Sequence, residues 1–252
     1  MMMKDGMKPI EKNKFASCIP LISADKNELL ADVEAAVRNE CDFLEWRRDY
    51  FMKGTTLSRQ EEIDVLKEIK RRMKNQGIIY TYRSHLEGGV YETSDAIREA
   101  AINAAIESDV VDYIDVELAS SDLFLDRITA AIKNKRPQWI ASHHNFEKTP
   151  AAQEIKRIYA SMEARNADVL KLALMPHTME DVRRLMMANL LHNEQSELPM
   201  IAIAMGALGG ITRIAPDLCG GSLTYAAGAG KTAPGQINLE GIRAIRKEMG
   251  LI

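Results

Sequence analysis

Short apolar runs alternate with longer segments of helical period along the whole chain. The short runs have strand length, and eight are predicted as strands: Phe15–Ile22, Asp42–Arg47, Ile78–Ser84, Tyr113–Ala119, Gln138–His144, Val169–Met175, Met200–Met205 and Ser222–Ala227. Seven longer segments are predicted as helices: Asp25–Asn39, Ser58–Lys74, Ser94–Glu107, Asp122–Asn134, Pro150–Arg165, Thr178–His192 and Leu239–Met249. Because no linker rich in Pro, Gly or Ser interrupts the alternation, the pattern predicts a single domain over residues 1–252.

Residues that favour helix starts support several of these boundaries. Ser58, Ser94 and Thr178 occupy N-cap positions, and Glu61 completes a capping box with Ser58. Pro150 fits the first turn of a helix, where its missing N–H costs nothing. These signals predict where four of the helices begin.

The order of the elements indicates an α/β fold. The predicted strands are apolar on both faces, as expected when helices cover one side and a packed barrel interior the other. Eight such units in 252 residues fit a (β/α)8 TIM barrel better than an open, doubly wound sheet. No glycine-rich dinucleotide fingerprint follows the first strand, which removes the main argument for the open sheet.

Composition narrows the range of partners. The formal net charge is −3 with both signs mixed throughout, so we expect no nucleic-acid partner and a small-molecule substrate. The longest apolar stretches reach about half the roughly 20 residues needed to cross a bilayer, so we expect a soluble protein without a membrane partner. Cys18, Cys41 and Cys219 have no CxxC spacing, and we expect reduced, packed thiols in a cytoplasmic protein.

Lys171 carries the clearest chemical implication. It lies inside the apolar run Val169–Met175. An ammonium group there loses hydration, and the neutral amine becomes a nucleophile able to form a Schiff base with a carbonyl. The alternative is that Lys171 caps a strand end and extends its charged group to water.

Other reactive side chains fall at or just beyond the carboxyl ends of the predicted strands. They are Glu45, Arg47, Arg83, Glu87, His144 and Arg213. In a barrel these strand ends carry the loops that form the active site. We therefore expect these side chains to converge with Lys171 on one pocket.

Seven segments carry a family resemblance. They are 44–49 (LEWRRD), 82–89 (YRSHLEGG), 113–118 (YIDVEL), 142–150 (SHHNFEKTP), 167–173 (ADVLKLA), 205–213 (MGALGGITR) and 232–236 (TAPGQ). In order and spacing they resemble type I 3-dehydroquinate dehydratase over nearly the whole chain from the first strand onward. The resemblance implies a TIM barrel, usually a homodimer, that removes water from 3-dehydroquinate in the shikimate pathway through an imine, with no metal and no cofactor.

The resemblance also implies catalytic roles. Lys171 matches the family residue that attacks the substrate ketone. His144 matches the group that removes the neighbouring proton and later protonates the departing hydroxyl, a task suited to a pKa near neutrality. Glu87 matches the carboxylate that orients this histidine.

Substrate contacts are implied in the same way. Arg213 matches the residue that binds the substrate carboxylate, with Gln236 adding a hydrogen bond to that carboxylate or to the leaving hydroxyl, and Thr232 keeping a hydroxyl contact. Three further residues match those that hold the ring hydroxyls: Glu45, Arg47 and Arg83. The two arginines in this set are also expected to place positive charge beside Lys171.

Several positions depart from the family pattern. His143 precedes the matched base, and because adjacent strand residues point to opposite faces, only one of the pair is expected to enter the pocket. His144 is chosen because the following segment, 145–150, fixes the register. Gly206, Thr212 and Thr232 replace common serines, and Pro20 replaces a serine found in some relatives. The stretch before Phe15 shows no hairpin, which predicts a more open barrel floor.

Three alternatives stay open on the residues alone. A Schiff-base aldolase for a sugar phosphate would explain Lys171 and the glycine-rich segment 228–232, but not a carboxylate site at Arg213. A second alternative is a non-catalytic barrel that binds a metabolite. A third is a metal site formed by Glu45, Glu87, Glu117 and His144, although no tight ligand spacing supports a metal. A nucleotide-binding loop is excluded, because Tyr225 stands where its first glycine belongs.

Overall fold

The computed structural model describes residues 6–252 and contains eight parallel strands that alternate with helices. The strands are β1 (Ala16–Leu21), β2 (Phe43–Arg47), β3 (Gly77–Thr81), β4 (Tyr113–Glu117), β5 (Gln138–Asn145), β6 (Val169–Leu174), β7 (Met200–Ala204) and β8 (Leu223–Tyr225). The helices are α1 (Lys26–Arg38), α2 (Arg59–Arg72), α3 (Asp95–Glu107), α4 (Asp122–Ile132), α5 (Ala152–Ala164), α6 (Met179–Asn193), α7 (Gly210–Ile214) and α8 (Leu239–Glu248). All eight predicted strands and all seven predicted helices are present, with small differences at their ends.

The strands form one sheet that closes into a barrel. Their order is β7-β6-β5-β4-β3-β2-β1-β8, and every paired neighbour runs parallel. The two outer strands meet where the Ser222 N–H donates to the Met200 carbonyl oxygen at 2.8 Å. The predicted (β/α)8 barrel is therefore confirmed. The predicted extent of the domain, residues 1–252, includes residues 1–5, which lie outside the described residues.

Most of the predicted helix starts are confirmed. Ser58 accepts a hydrogen bond from the Glu61 N–H at 3.3 Å, and the Glu61 carboxylate accepts one from the Ser58 N–H at 2.8 Å, which completes the capping box. Ser94 and Thr178 also cap their helices through their hydroxyl oxygens.

Two features of the helices differ from the prediction. Pro150 is not in the first turn of α5, which begins at Ala152 after Ala151 as N-cap. Arg184 of the next helix donates to the Pro150 carbonyl oxygen at 3.5 Å, so Pro150 belongs to a loop held against α6. Helix α7 was not predicted, because its five residues are too few for a helical period to show in the sequence.

The prediction that the strands are apolar on both faces agrees with the outer face and with the lower half of the inner face. Outward side chains such as Trp46, Tyr80 and Trp139 pack with the helices. Inward side chains are apolar only in the lower half of the barrel, where a second cluster includes Phe43 and Ile140. The upper half of the interior holds charged side chains, so the barrel has an apolar base and a polar mouth.

The barrel floor is covered, contrary to the prediction of a more open one. Between residues 6 and 15 the backbone forms no strand, yet Ile10 is only 5 % exposed and packs into the lower barrel cluster. The Ile10 N–H donates to the Tyr113 hydroxyl oxygen at 2.8 Å, and Lys8 Nζ lies 3.0 Å from Asp42 Oδ1. A single pass of extended chain therefore closes the floor without a hairpin among the described residues.

Two further expectations can be compared with the structure. Within residues 6–252, no helix combines the length and apolar character that a membrane crossing requires. Cys18, Cys41 and Cys219 are all unpaired and buried, as the sequence predicted.

Candidate active site

The two-residue period of the strands brings a set of polar side chains to the inner face near the barrel mouth. The pairs Glu45 and Arg47 on β2, Asp115 and Glu117 on β4, and Ser142 and His144 on β5 are each two residues apart and therefore share a face. All nine residues predicted for the site line one pocket: Glu45, Arg47, Arg83, Glu87, His144, Lys171, Arg213, Thr232 and Gln236. The structure therefore brings the whole predicted set together, while the roles of its members stay predictions.

Lys171 lies deep in this pocket and does not extend to water. Its side chain is only 4 % exposed, which rules out the strand-end alternative. Lys171 Nζ donates to Asp115 Oδ2 at 2.6 Å and to the Tyr225 hydroxyl oxygen at 3.0 Å. Glu45 Oε1 is 3.7 Å away. Two carboxylates and one phenol thus surround the amine.

The two arginines expected to place positive charge beside Lys171 are both paired with carboxylates, and Arg83 shares Asp115 with Lys171. Arg47 donates through Nε and Nη2 to the two oxygens of Asp49, at 2.9 and 2.8 Å. Arg83 donates to Asp115 at 2.8 Å and to Glu117 at 2.9 Å.

Asp115 is shared between Arg83 and Lys171, and this sharing fixes its charge. Burial acts to raise the pKa of the Asp115 carboxyl, but the charges of Arg83 and Lys171 outweigh burial and hold the pKa far below its usual range. Asp115 is therefore ionised at neutral pH and presents a negative charge to Lys171 Nζ.

His144 contacts Glu87, the carboxylate that the family resemblance predicts to orient it. Glu87 Oε2 lies 2.9 Å from His144 Nδ1 and also accepts the His144 backbone N–H at 2.8 Å. Burial and the nearby charges of Arg83 and Lys171 lower the pKa of His144 to about 4. This value is well below the near-neutral pKa expected from the sequence. The imidazole is therefore neutral in the free protein at neutral pH.

The Glu87–His144 contact also defines the tautomer. The pKa of Glu87 is about 2, because hydrogen bonds from His143 and His144 outweigh the opposing effect of burial. An ionised carboxylate only accepts hydrogen bonds, so His144 Nδ1 carries the proton and Nε2 has a free lone pair. Since His144 lines the pocket, this lone pair is available to a bound substrate.

Arg213 is a buried cation with no carboxylate partner among the described residues. Its Nη1 and Nη2 donate to the backbone carbonyl oxygens of Tyr225 and Pro234 at 3.3 and 2.9 Å. Its Nε has no hydrogen-bond partner within residues 6–252, although the side chain is almost fully buried. Burial lowers the pKa of Arg213 to about 10, so the group stays charged at neutral pH. The pocket therefore has an unmatched positive charge suited to an anion.

The loop after β8 closes one side of the pocket and uses Gln236 to hold its own shape. Gln236 Oε1 accepts the Thr232 N–H at 2.6 Å, and Gln236 Nε2 donates to the Thr232 hydroxyl oxygen at 3.0 Å. One Nε2 hydrogen is left over for a ligand. The predicted direct contact between Gln236 and substrate can thus involve only this hydrogen.

The prediction of site residues omitted two that contact Lys171 directly, Asp115 and Tyr225. Asp115 was visible in the sequence as an acid two residues before Glu117 on a predicted strand, but it was assigned to the surrounding network. Tyr225 gave no such signal, because an aromatic residue in a strand is usually part of the core. Its inward direction follows from the register that pairs it with Cys18 of β1.

Fold and site together define a barrel enzyme of the kind that holds a buried lysine and a histidine–carboxylate pair at the carboxyl ends of its strands. The chain belongs to the type I 3-dehydroquinase family, whose model matches residues 17–252. It is 34 % identical over 246 residues to a 3-dehydroquinate dehydratase from Shouchella clausii, covering 94 % of this chain and 95 % of that protein.

Solved structures agree with this assignment. A 3-dehydroquinate dehydratase from Geobacillus kaustophilus superimposes with a TM-score of 0.89 at 28 % identity, covering 96 % of each chain. A type I 3-dehydroquinate dehydratase from Clostridium difficile, solved with covalent modified comenic acid, gives a TM-score of 0.86 at 29 % identity, covering 94 % of this chain and 92 % of the other.

Proposed function

We propose that this protein converts 3-dehydroquinate to 3-dehydroshikimate by removing water through an imine on Lys171, as a step of the shikimate pathway. One observation carries the proposal. A single pocket is lined by a buried lysine amine, a neutral histidine with a free Nε2, and a buried arginine that has no carboxylate partner among residues 6–252. The family relatives named 3-dehydroquinate dehydratase supply the substrate.

The first step is attack by Lys171 Nζ on the ring ketone. A bond forms between Nζ and the carbonyl carbon, two protons of the ammonium group pass to the carbonyl oxygen, and the carbon–oxygen bond breaks so that water leaves and an iminium remains. Ammonium and iminium both carry one positive charge, so the carboxylates of Asp115 and Glu45 that now face Nζ also stabilise the intermediate. The Clostridium difficile relative was solved with covalent modified comenic acid, which supports covalent chemistry in this family.

The second step is proton transfer by His144. Its Nε2 removes a proton from the carbon next to the iminium, and the electron pair moves towards nitrogen to form an enamine. When the enamine collapses, the bond to the tertiary hydroxyl breaks and His144 returns its proton, so water leaves. Glu87 stabilises the transient imidazolium through the Nδ1 hydrogen bond. Water then hydrolyses the product imine and frees Lys171.

Arg213 supplies the binding charge. A ring carboxylate placed against Arg213 would use the Nε that has no partner within the described residues. Thr232 and Gln236 lie on the same side of the pocket and supply neutral hydrogen-bonding groups. The set on the opposite side, Glu45, Arg47 and Arg83, is proposed to meet the ring hydroxyls.

Trapping with borohydride tests the proposal most directly. We expect protein mixed with 3-dehydroquinate and borohydride to gain a stable adduct, and mass spectrometry should place it on the peptide that contains Lys171. The variant Lys171→Ala should form no adduct and lose turnover. Tyr225→Phe is the matched control, because it removes a neighbour of Nζ while keeping the amine, and it should still be trapped. Dehydration by Lys171→Ala at a near-normal rate would refute the imine.

The variant Arg213→Ala separates a dehydratase from an aldolase for a sugar phosphate. Losing a charge-assisted pair with a partly buried carboxylate costs roughly 2–5 kcal/mol, and the loss should appear mainly in kcat/KM for 3-dehydroquinate. The comparison measures wild type and variant on 3-dehydroquinate and on a simple sugar phosphate. A wild-type preference for the phosphate, or equal losses on both substrates, would favour the aldolase.

We further infer that two copies associate in a cytoplasmic homodimer. The exposed side chains of Met187 and Leu191, one turn apart on α6, provide an apolar surface for such contact. The three unpaired, buried cysteines agree with a reducing compartment. Light scattering should give twice the chain mass of 28.2 kDa, and a value equal to one chain would refute the dimer.

A further inference from the structure

The Glu87 carboxylate contacts two histidines, one on each of its oxygens. Oε2 lies 2.9 Å from His144 Nδ1, and Oε1 lies 3.2 Å from His143 Nδ1. Adjacent residues of β5 point to opposite faces of the strand, and only His144 lines the catalytic pocket. His143 instead lines a groove on the outer side, yet its ring still reaches Glu87. The sequence had given no role to His143.

The carboxylate of Glu87 determines which ring nitrogen carries the proton in neutral His143 and His144. Because ionised Glu87 can only accept hydrogen bonds, a neutral His143 must carry its proton on Nδ1, as His144 does. The two rings therefore donate to the two oxygens of one carboxylate. The carboxylate is buried, with a side-chain exposure of 5 %, while His143 is 24 % exposed and reaches the outer groove beside Lys148 and Glu154.

The turn that carries Glu87 leaves the orientation of its carboxylate to its hydrogen bonds, which come from the two histidine rings and from the His144 backbone N–H. Glu87 ends a short 3-10 turn, His85–Glu87, and Gly88 follows in the left-handed region with φ of 91°. The carboxylate can rotate about its last side-chain bond unless both oxygens are held. His144 holds Oε2 through its ring and its backbone N–H, and the hydrogen bond from His143 holds the remaining oxygen, Oε1, which fixes the plane of the carboxylate.

We propose that His143 is a positioning residue, which clamps Glu87 from the outer side of β5 and thereby keeps His144 in the tautomer with a free Nε2. The inference rests on the proposed function for its catalytic consequence, since a fixed tautomer matters to the rate only if His144 is the base. The clamp itself is a matter of geometry and can be measured without any substrate.

Two variants separate the effect of the His143 hydrogen bond from the effect of the rest of the ring. His143→Asn keeps a side-chain N–H at about the position of Nδ1, whereas His143→Ala removes it. We expect His143→Ala to lower kcat by about threefold to tenfold, the effect of one lost hydrogen bond, with KM little changed. His143→Asn should retain most of the wild-type kcat. Borohydride trapping on Lys171 should be normal in both variants, because the imine forms before His144 acts.

Nitrogen NMR of the free protein gives the second measurement. The ring nitrogen shifts of His144 in wild type and in His143→Asn should show the Nδ1–H tautomer, while His143→Ala should move both shifts towards a mixture of tautomers. Unchanged His144 shifts in His143→Ala would overturn the clamp whether or not the protein dehydrates 3-dehydroquinate. Equal kcat losses in both variants would also overturn it, because the donated hydrogen bond would then not be the cause. A protein without dehydratase activity but with the expected shifts would refute the proposed function alone.

Discussion

The negative charges around Lys171 suit the proposed reaction, in which Nζ changes from an ammonium to an iminium and carries one positive charge in both forms. Asp115 is held ionised by Arg83 as well as by Lys171, so it keeps its charge when the amine reacts. Tyr225 stays a neutral phenol, since burial raises its pKa well above the usual value. In the proposed reaction, the pocket is therefore preorganised for the iminium and requires little rearrangement when it forms.

The low pKa of His144 predicts how stability depends on pH. An unfolded histidine takes up its proton near pH 6.5, whereas folded His144 does so near pH 4. The unfolded state therefore binds more protons between these values, and the free energy of unfolding should decrease as pH falls from about 6.5 to about 4, by up to roughly 3 kcal/mol. Above pH 6.5 this contribution should be constant.

Urea unfolding at about pH 7 and about pH 5 tests whether the free energy of unfolding decreases on acidification. His144→Asn removes the titrating ring while keeping a donor towards Glu87, and it should lose part of the pH dependence seen in wild type. His177→Asn, at an exposed position, serves as the control. If wild type and His144→Asn lose the same free energy on acidification, the lowered pKa is wrong.

The sequence could predict which side chains face the pocket but not how they pair. The strand period places Glu45 with Arg47 and Asp115 with Glu117, and the apolar run around Lys171 identifies that residue. Which carboxylate contacts Lys171 Nζ depends on side-chain directions across the barrel interior, and a strand pattern carries no such information. For the same reason, the pairing of Arg47 with Asp49 could not be foreseen.

The turn after β3 shows how backbone packing positions a functional group. Gly89 lies so close to the preceding chain that a Cβ built on it would be 2.2 Å from the Arg83 carbonyl oxygen. Gly88 would likewise place a Cβ 2.7 Å from the ring of Phe146. The turn therefore needs glycine at both positions to bring Glu87 to His144.

Gly89→Ala should disturb catalysis through this turn. The backbone must move to relieve the clash, and Glu87 should move with it, so we expect kcat to fall by at least about tenfold while the barrel stays folded. Gly210→Ala is the matched control, because a Cβ there meets nothing within 4 Å and the residue has helical angles. Comparison of kcat with the circular dichroism of each variant provides the measurement. Normal kcat in Gly89→Ala would show that the turn can shift without moving Glu87.

Element boundaries were predictable where local chemistry determines them and not where tertiary contacts do. Ser58 and Ser94 begin their helices because their own hydroxyls satisfy backbone N–H groups. Pro150 has the right local character for a helix start, but the contact from Arg184 holds it in the loop. Helix α7 begins at Gly210 directly after Gly209, and two adjacent glycines locally disfavour a helix.

The two ends of the barrel have separate tasks. The carboxyl ends of the strands hold the charged pocket, and the amino ends hold the apolar base that Ile10 completes. The sequence predicted the pocket at the carboxyl ends of the strands because charged and reactive residues stand out in otherwise apolar strands. It missed the closed floor because Met7 and Ile10, apolar side chains in an otherwise polar segment, show no helix or strand period.

This separation predicts a variant that loses stability without losing activity. Ile10→Ala keeps the backbone N–H that donates to Tyr113 but empties the side-chain space at the barrel floor. Truncation of a buried isoleucine costs roughly 2–5 kcal/mol, so the urea midpoint should fall clearly. The value of kcat/KM at low denaturant should stay within about twofold of wild type, because the pocket lies at the opposite end of the strands.

Leu123→Ala is the control for Ile10→Ala, since its side chain is 62 % exposed and its truncation should change stability by no more than about 0.5 kcal/mol. Equal urea midpoints for the two variants would mean that Ile10 does not close the floor. A large fall in kcat/KM for Ile10→Ala, measured where the protein is fully folded, would mean that the base and the mouth are coupled. The inward side chains of the lower layer, such as Phe43 and Ile140, would then have to transmit the change to Glu45 and Lys171 above them.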